Sequence, residues 1–88
     1  MHLFDVAIKG GEKFKESNFI KSGENFTIFD TEFCKFGIGI CHDVRFPEYS
    51  MILTREFGAE FLVFVSGFGA KSGPDHWDIL RRARALDN

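Results

Sequence analysis

The run Phe36-Gly37-Ile38-Gly39-Ile40-Cys41-His42-Asp43-Val44-Arg45-Phe46-Pro47-Glu48 constrains this chain more than any other. Ile38 and Ile40 are β-branched and suit a pleated, half-buried strand. Gly37 and Gly39 have no side chain, so a second layer can approach that face of the strand closely. At Cys41 the pattern changes at once to polar residues, and Pro47 suits the first turn of a helix. The run predicts a buried strand, a sharp corner and a helix. A thiol at such a corner stands exposed at the strand's end, and the backbone N–H groups that follow can face a developing oxyanion. This is the logic of a nucleophile elbow, with Cys in the place of Ser.

The rest of the chain reads in the same terms. His2 to Ile8 is expected to be a strand, broken by Gly10-Gly11. Residues 12–25 read as a polar connection with a short helical turn around Glu16. Phe26 to Asp30 alternates with period two, Thr31-Glu32 makes a turn, and Phe33 to Ile40 returns, which predicts a hairpin. Phe46 to Phe57 predicts a helix with Gly58 at its C-terminal end. Glu60 to Ser66 is a continuous apolar strand of the kind buried on both faces. Gly67 to Pro74 is a Gly-rich loop, and Asp75 to Leu86 predicts a second helix with acidic residues near its positive end. Strand and helix alternating after a hairpin imply an α/β fold.

A chain of 88 residues holds one small domain at most, yet it carries 12 Phe and is 44% hydrophobic. Some of those Phe are expected to be exposed unless further elements cover them. The net charge is −2 with Lys and Arg scattered, which gives no nucleic-acid footprint. No apolar run reaches membrane-spanning length and no secretory signal opens the chain, so no membrane partner is expected. Cys34 and Cys41 lie seven apart, on one predicted strand and its end, and cannot pair there. Free thiols fit a reducing, cytoplasmic setting. With no CxxC pair or His/Cys cluster, a metal site is not expected.

The segment Gly37 to Glu48 resembles the nucleophile segment of the nitrilase, or carbon–nitrogen hydrolase, superfamily. His2-Leu3-Phe4-Asp5, Phe14-Lys15-Glu16-Ser17, Gly73-Pro74-Asp75-His76-Trp77 and Arg82 to Asn88 are similar to its omega-amidase branch, in the same order and at similar spacing. Any one of these motifs is weak; the ordered set covers nearly the whole chain. The resemblance implies an α/β fold forming part of the four-layer α-β-β-α sandwich of the carbon–nitrogen hydrolase fold. It implies that residues 1–88 are a central part of that domain, without its N-terminal and C-terminal parts. The family's catalytic centre is Glu-Lys-Cys. Its Glu lies well upstream, and its Lys immediately before the H-L-F-D motif, where this chain has Met1.

On that resemblance Cys41 is the expected nucleophile, and Glu16 falls on the family's second glutamate, which orients the lysine and the attacking water. His42 is expected to bind substrate through its backbone N–H, which completes the oxyanion hole; its ring is not expected to be a catalytic base. The implied reaction is hydrolysis of a small amide such as 2-oxoglutaramate or 2-oxosuccinamate through a cysteine thioester, with no cofactor. Homo-oligomers built through the helix layers are implied, and the isolated segment is expected to be inactive. Two alternatives stay open besides another nitrilase-family amidase. One is a catalytically dead remnant acting as an interaction module. The other is a different cysteine hydrolase with His42 or His76 as base, which requires a His within hydrogen-bond reach of Cys41.

Other polar residues read more plainly. Asp43, Arg45 and Glu48 are expected to form an ion-pair and capping network that fixes the corner. His76 and Trp77 open the last helix and match the family's G-P-x-H-W motif, which the resemblance implies shapes the pocket rim and the packing beneath it; by itself Trp77 reads as a core aromatic. Arg81, Arg82 and Arg84 read as a solvated or ion-paired helix face rather than a phosphate site.

Overall fold

The glycine-spaced run and the alternating run before it pair as the sequence predicts. The computed structural model describes residues 1–7, 9–11, 13–71 and 73–88. In chain order the elements are β1 (Asp5–Ala7), β2 (Lys13–Lys15), a 3-10 turn at Glu16–Asn18, β3 (Thr27–Asp30), β4 (Lys35–Ile40), and a 3-10 turn at Cys41–Arg45. Then come α1 (Pro47–Met51), β5 (Phe61–Val65) and α2 (Gly73–Asp87). The fold is mixed α/β. β3 and β4 form the antiparallel hairpin, with Thr27 opposite Ile38 and Asp30 opposite Lys35. β4 and β5 run parallel, from Phe36 opposite Phe61 to Ile40 opposite Val65, so the helical crossover between them belongs to a βαβ unit.

The crossover helix begins at Pro47, whose missing N–H costs nothing in a first turn. It continues as a π-helical turn over Ile52–Glu56 and ends at Gly58, which takes φ +72°. Tyr49, Leu53 and Ala59 are its buried core, packed against Phe26, Ile28, Leu62 and Phe64. The Tyr49 hydroxyl donates to the Ile38 carbonyl at 2.7 Å and pins the helix to β4.

Gly37 and Gly39 line the covered face of β4. A Cβ at Gly37 would lie 3.0 Å from Leu62 Cδ2 and 3.2 Å from Leu53 Cδ1, and one at Gly39 would run into the Phe64 ring. Gly39→Ala is therefore expected to destabilise the fold by about 1–3 kcal/mol through overpacking. Thermal unfolding followed by circular dichroism checks this, and an unchanged midpoint would contradict the close approach.

The other face of this sheet is open. Phe36 stacks on Phe29 with ring centroids 5.1 Å apart and meets Phe61 at 5.2 Å. Phe61 is 56% and Val65 64% exposed. Among the described residues the Leu62 and Phe64 side of the run meets the helix, while Phe61 and Val65 are uncovered, as expected of apolar side chains with no further element over them.

Of the polar stretch 12–25, the described residues 13–25 are more structured than their polarity implied. Val6 lies opposite Phe14 in an antiparallel β1–β2 pair. Gly10 supplies a positive φ, +81°, between the two strands. The predicted strand end at Ile8 lies outside the described residues.

Candidate active site

Cys41 follows the last residue of β4, and its backbone takes φ +45°. Non-glycine residues rarely enter that left-handed region, at a cost of about 1–3 kcal/mol, unless their surroundings hold them there. Asp43 does the holding. Its Oδ2 accepts the Ile40 N–H at 2.9 Å, one residue before the thiol. Its Oδ1 accepts the His2 backbone N–H at 2.8 Å and the His2 Nδ1–H at 2.9 Å, and the chain's amino group lies 3.1 Å away.

Asp43 is almost fully buried. Burial alone would raise its pKa, but the N–H groups of His2 and Ile40 and the His2 ring outweigh that and hold the carboxyl below its usual range. The His2 ring is itself stacked on Phe46, with centroids 3.7 Å apart. One carboxylate thus ties the corner to a segment forty residues away in sequence.

Glu16 performs a parallel task on the next turn of that segment. It follows β2, and its Oε2 accepts the Phe4 N–H at 2.6 Å while its own N–H donates to the Phe4 carbonyl at 3.2 Å. His2 and Phe4 are alternate residues of one extended stretch, each held by a carboxylate. The β1–β2 pair carries Glu16 to a cavity of ≈ 270 Å³ that Cys41 also lines. Phe4, Phe14 and Phe68 make its walls apolar.

His42 lines the same cavity. Its ring lies edge-on to Phe4 and Phe46, at 5.3 and 5.4 Å, and Nδ1 is buried without a partner among the described residues. Burial first, then the charges of Arg45 and His2, push its pKa down, so the ring is neutral at neutral pH. The Cys41 thiol has one hydrogen-bond partner among the described residues, the Gly67 carbonyl at 3.8 Å. Neither His42 nor His76 bonds it, so the arrangement needed for a His-activated cysteine is not the one found. The N–H of His42 lies in the first turn of the Cys41–Arg45 helix, where N–H groups have no intrahelical acceptor.

Arg45 corrects the expected ion-pair network. It pairs with neither Asp43 nor Glu48. Its Nη2–H donates to His76 Nδ1 at 3.2 Å, its guanidinium carbon lies 5.5 Å from the Phe68 ring centre, and it lines the Cys41 cavity. The Gly73-Pro74-Asp75-His76-Trp77 motif therefore reaches the cavity twice, through His76 on Arg45 and through Trp77, whose ring lies 5.2 Å from Phe68. Sequence alone gave no signal for Phe4, Phe14 or Arg45 in the cavity, because each arrives by tertiary pairing. Among the described residues no group of three or more His, Cys, Asp or Glu could hold a metal, and no helix is long and apolar enough to cross a membrane.

An α/β unit that presents a strained cysteine beside a glutamate in an apolar cavity has clear relatives. A family model described as carbon-nitrogen hydrolase matches residues 1–88, and the chain belongs to that family. Omega-amidase NIT3 of Saccharomyces cerevisiae is 48% identical over all of this chain, which spans 30% of its length. Omega-amidase NIT2-A of Xenopus laevis is 46% identical over all of this chain, which spans 32% of its length. The crystal structure of Saccharomyces cerevisiae Nit3, a member of branch 10 of the nitrilase superfamily, matches with a TM-score of 0.74 at 46% identity, over 80% of this chain and 26% of that one. The chain spans about a third of the length of the curated relatives it matches. Its α/β arrangement is thus a part of the carbon–nitrogen hydrolase fold.

Proposed function

We propose that this chain carries the nucleophile of an omega-amidase-like carbon–nitrogen hydrolase. The observation that supports this most is Cys41 at φ +45° on the end of β4, in one cavity with Glu16. The relatives are named omega-amidases, which supports an amidase reaction, and the family resemblance implies the substrate class, a small 2-oxo acid bearing a terminal amide.

In this reading the Cys41 thiolate attacks the amide carbon, and the N–H of His42 stabilises the oxyanion. The C–N bond breaks as the leaving nitrogen takes a proton and departs as ammonia. The acyl group stays on sulfur as a thioester, which water hydrolyses to the dicarboxylate, returning the thiol. Among the described residues no lysine lines the cavity, so the second oxyanion donor and the acid that protonates ammonia are assigned to other parts of a family-length enzyme. Glu16 orients that machinery: with its Oε2 fixed by the Phe4 N–H, a single oxygen is left to face the cavity. Arg45 is the cationic side chain of the cavity and suits the substrate's carboxylate. The two free thiols fit a cytoplasmic setting, and homo-oligomers through the helix layers fit the family resemblance.

The test is ammonia release from 2-oxoglutaramate by a family-length enzyme carrying this segment and by its Glu16→Gln variant. Gln keeps the Phe4 hydrogen bond and removes the charge, and kcat is expected to fall about 10²–10⁴-fold. A variant as active as wild type would remove Glu16 from the site.

A further inference from the structure

A second cleft, of ≈ 520 Å³, lies between β5, the π-helical turn and α2, and shares no lining residue with the Cys41 cavity. Arg84 lines it and is 8% exposed, not the solvated residue its sequence suggests. Its Nη2–H donates to Asp87 Oδ2 at 3.2 Å, while Nε and Nη1 are buried with no partner among the described residues. Arg55 and Arg81 line the same cleft. Its acidic lining residue, Glu60, already accepts the Lys35 N–H at 3.1 Å.

A buried guanidinium with unmatched donors is costly, and a hydrogen-bonding anion removes that cost. Three arginines and one engaged glutamate line the cleft; Arg81 also pairs with Asp78 and Arg84 with Asp87, which leaves Nε and Nη1 of Arg84 as the buried donors still to be matched. Carboxylate and phosphate groups match guanidinium donors in geometry and charge. We propose that this cleft is an oxyanion site, in which Arg84 and Arg81 take the carboxylate or phosphate group of a small free anion. The apolar floor of Leu62 and Phe64 leaves room for the rest of an organic anion.

The experiment follows thermal unfolding of the purified protein in sodium phosphate, titrated against sodium chloride at equal ionic strength and fixed pH. Wild type, Arg84→Met, Arg84→Lys and Arg81→Gln are compared. Phosphate's general salting effect is common to all four, so the difference between variants is what counts. Wild type is expected to show a saturable rise in Tm of roughly 5 °C. Arg84→Met should lose it and Arg84→Lys keep part of it. Arg81→Gln removes an exposed side chain, so it should fold and respond more weakly, and it decides the matter if Arg84→Met does not fold. No saturable rise in wild type would overturn the site and leave Arg84 matched by a carboxylate of the protein itself. An equal rise in Arg84→Met, or an undiminished one in Arg81→Gln, would also overturn it.

Discussion

In a family-length enzyme carrying this segment, Cys41→Ala and Cys41→Gly are both expected to lose amide hydrolysis by about 10⁶-fold, as removal of a covalent nucleophile does. The two variants should part company in stability. Cys41 sits at φ +45°, where a Cβ is crowded and glycine is at ease. Cys41→Gly should therefore be more stable than Cys41→Ala by about 1 kcal/mol, the opposite of their order in an ordinary helix or strand. Ammonia release and paired thermal melts read the two effects separately. Equal stability of the two variants would mean that the corner holds no strain. Such a result would remove the observation on which the functional reading leans most.

Removing Asp43 should have the largest effect on the fold. Its carboxylate accepts bonds from His2 and Ile40 while almost fully buried. Asp43→Ala leaves those donors without acceptors, at an expected cost of about 3 kcal/mol. Asp43→Asn should lose less but change the response to acid. The folded Asp43 carboxyl titrates below its ordinary value of 3.8, so its stabilisation is complete above that value and is lost as pH falls through the lower folded one. His42 adds to the same trend from higher pH. Its folded pKa lies below the ordinary 6.5, so protons bind the unfolded chain more readily and stability declines as pH drops below that value. Asp43→Asn should flatten the steepest, most acidic part of the stability curve and leave the His42 part in place. An acid limb identical to that of wild type would show that Asp43 is not the group titrating there.

The corner itself was legible in the sequence because its signals are local. β-branched residues, two glycines and an abrupt polar turn place the thiol at the end of β4 without reference to anything distant. The β3–β4 hairpin and the limits of the crossover helix followed from alternation, Pro47 and Gly58 in the same way, whereas α2 starts at Gly73, inside the stretch read as a loop. What the sequence concealed depends on tertiary pairing. Lys13-Phe14-Lys15 is too short and too charged to announce a strand, and becomes one because Val6 and Phe14 meet across the pair. Glu16 is an ordinary polar-loop residue until β2 delivers it to the Phe4 N–H. Asp43 and Arg45, two residues apart, look like members of one charge network. The 3-10 geometry of Cys41–Arg45 sends them to different partners, Asp43 to His2 and Arg45 to His76. Arg84 likewise sits in an arginine-rich helix whose exposed members, Arg81 and Arg82, pair with Asp78, and nothing local marks it as the buried one.

The central claim is that Cys41 forms the covalent bond to substrate, and intact-mass spectrometry tests it most directly. A family-length enzyme carrying this segment, mixed with 2-oxoglutaramate and quenched in acid within a turnover, should gain the mass of the acyl group that replaces the thiol hydrogen. Peptide mapping should place that gain on the segment containing Cys41, and Cys41→Ala should show none. An adduct on Cys34, or steady turnover in Cys41→Ala, would contradict the account.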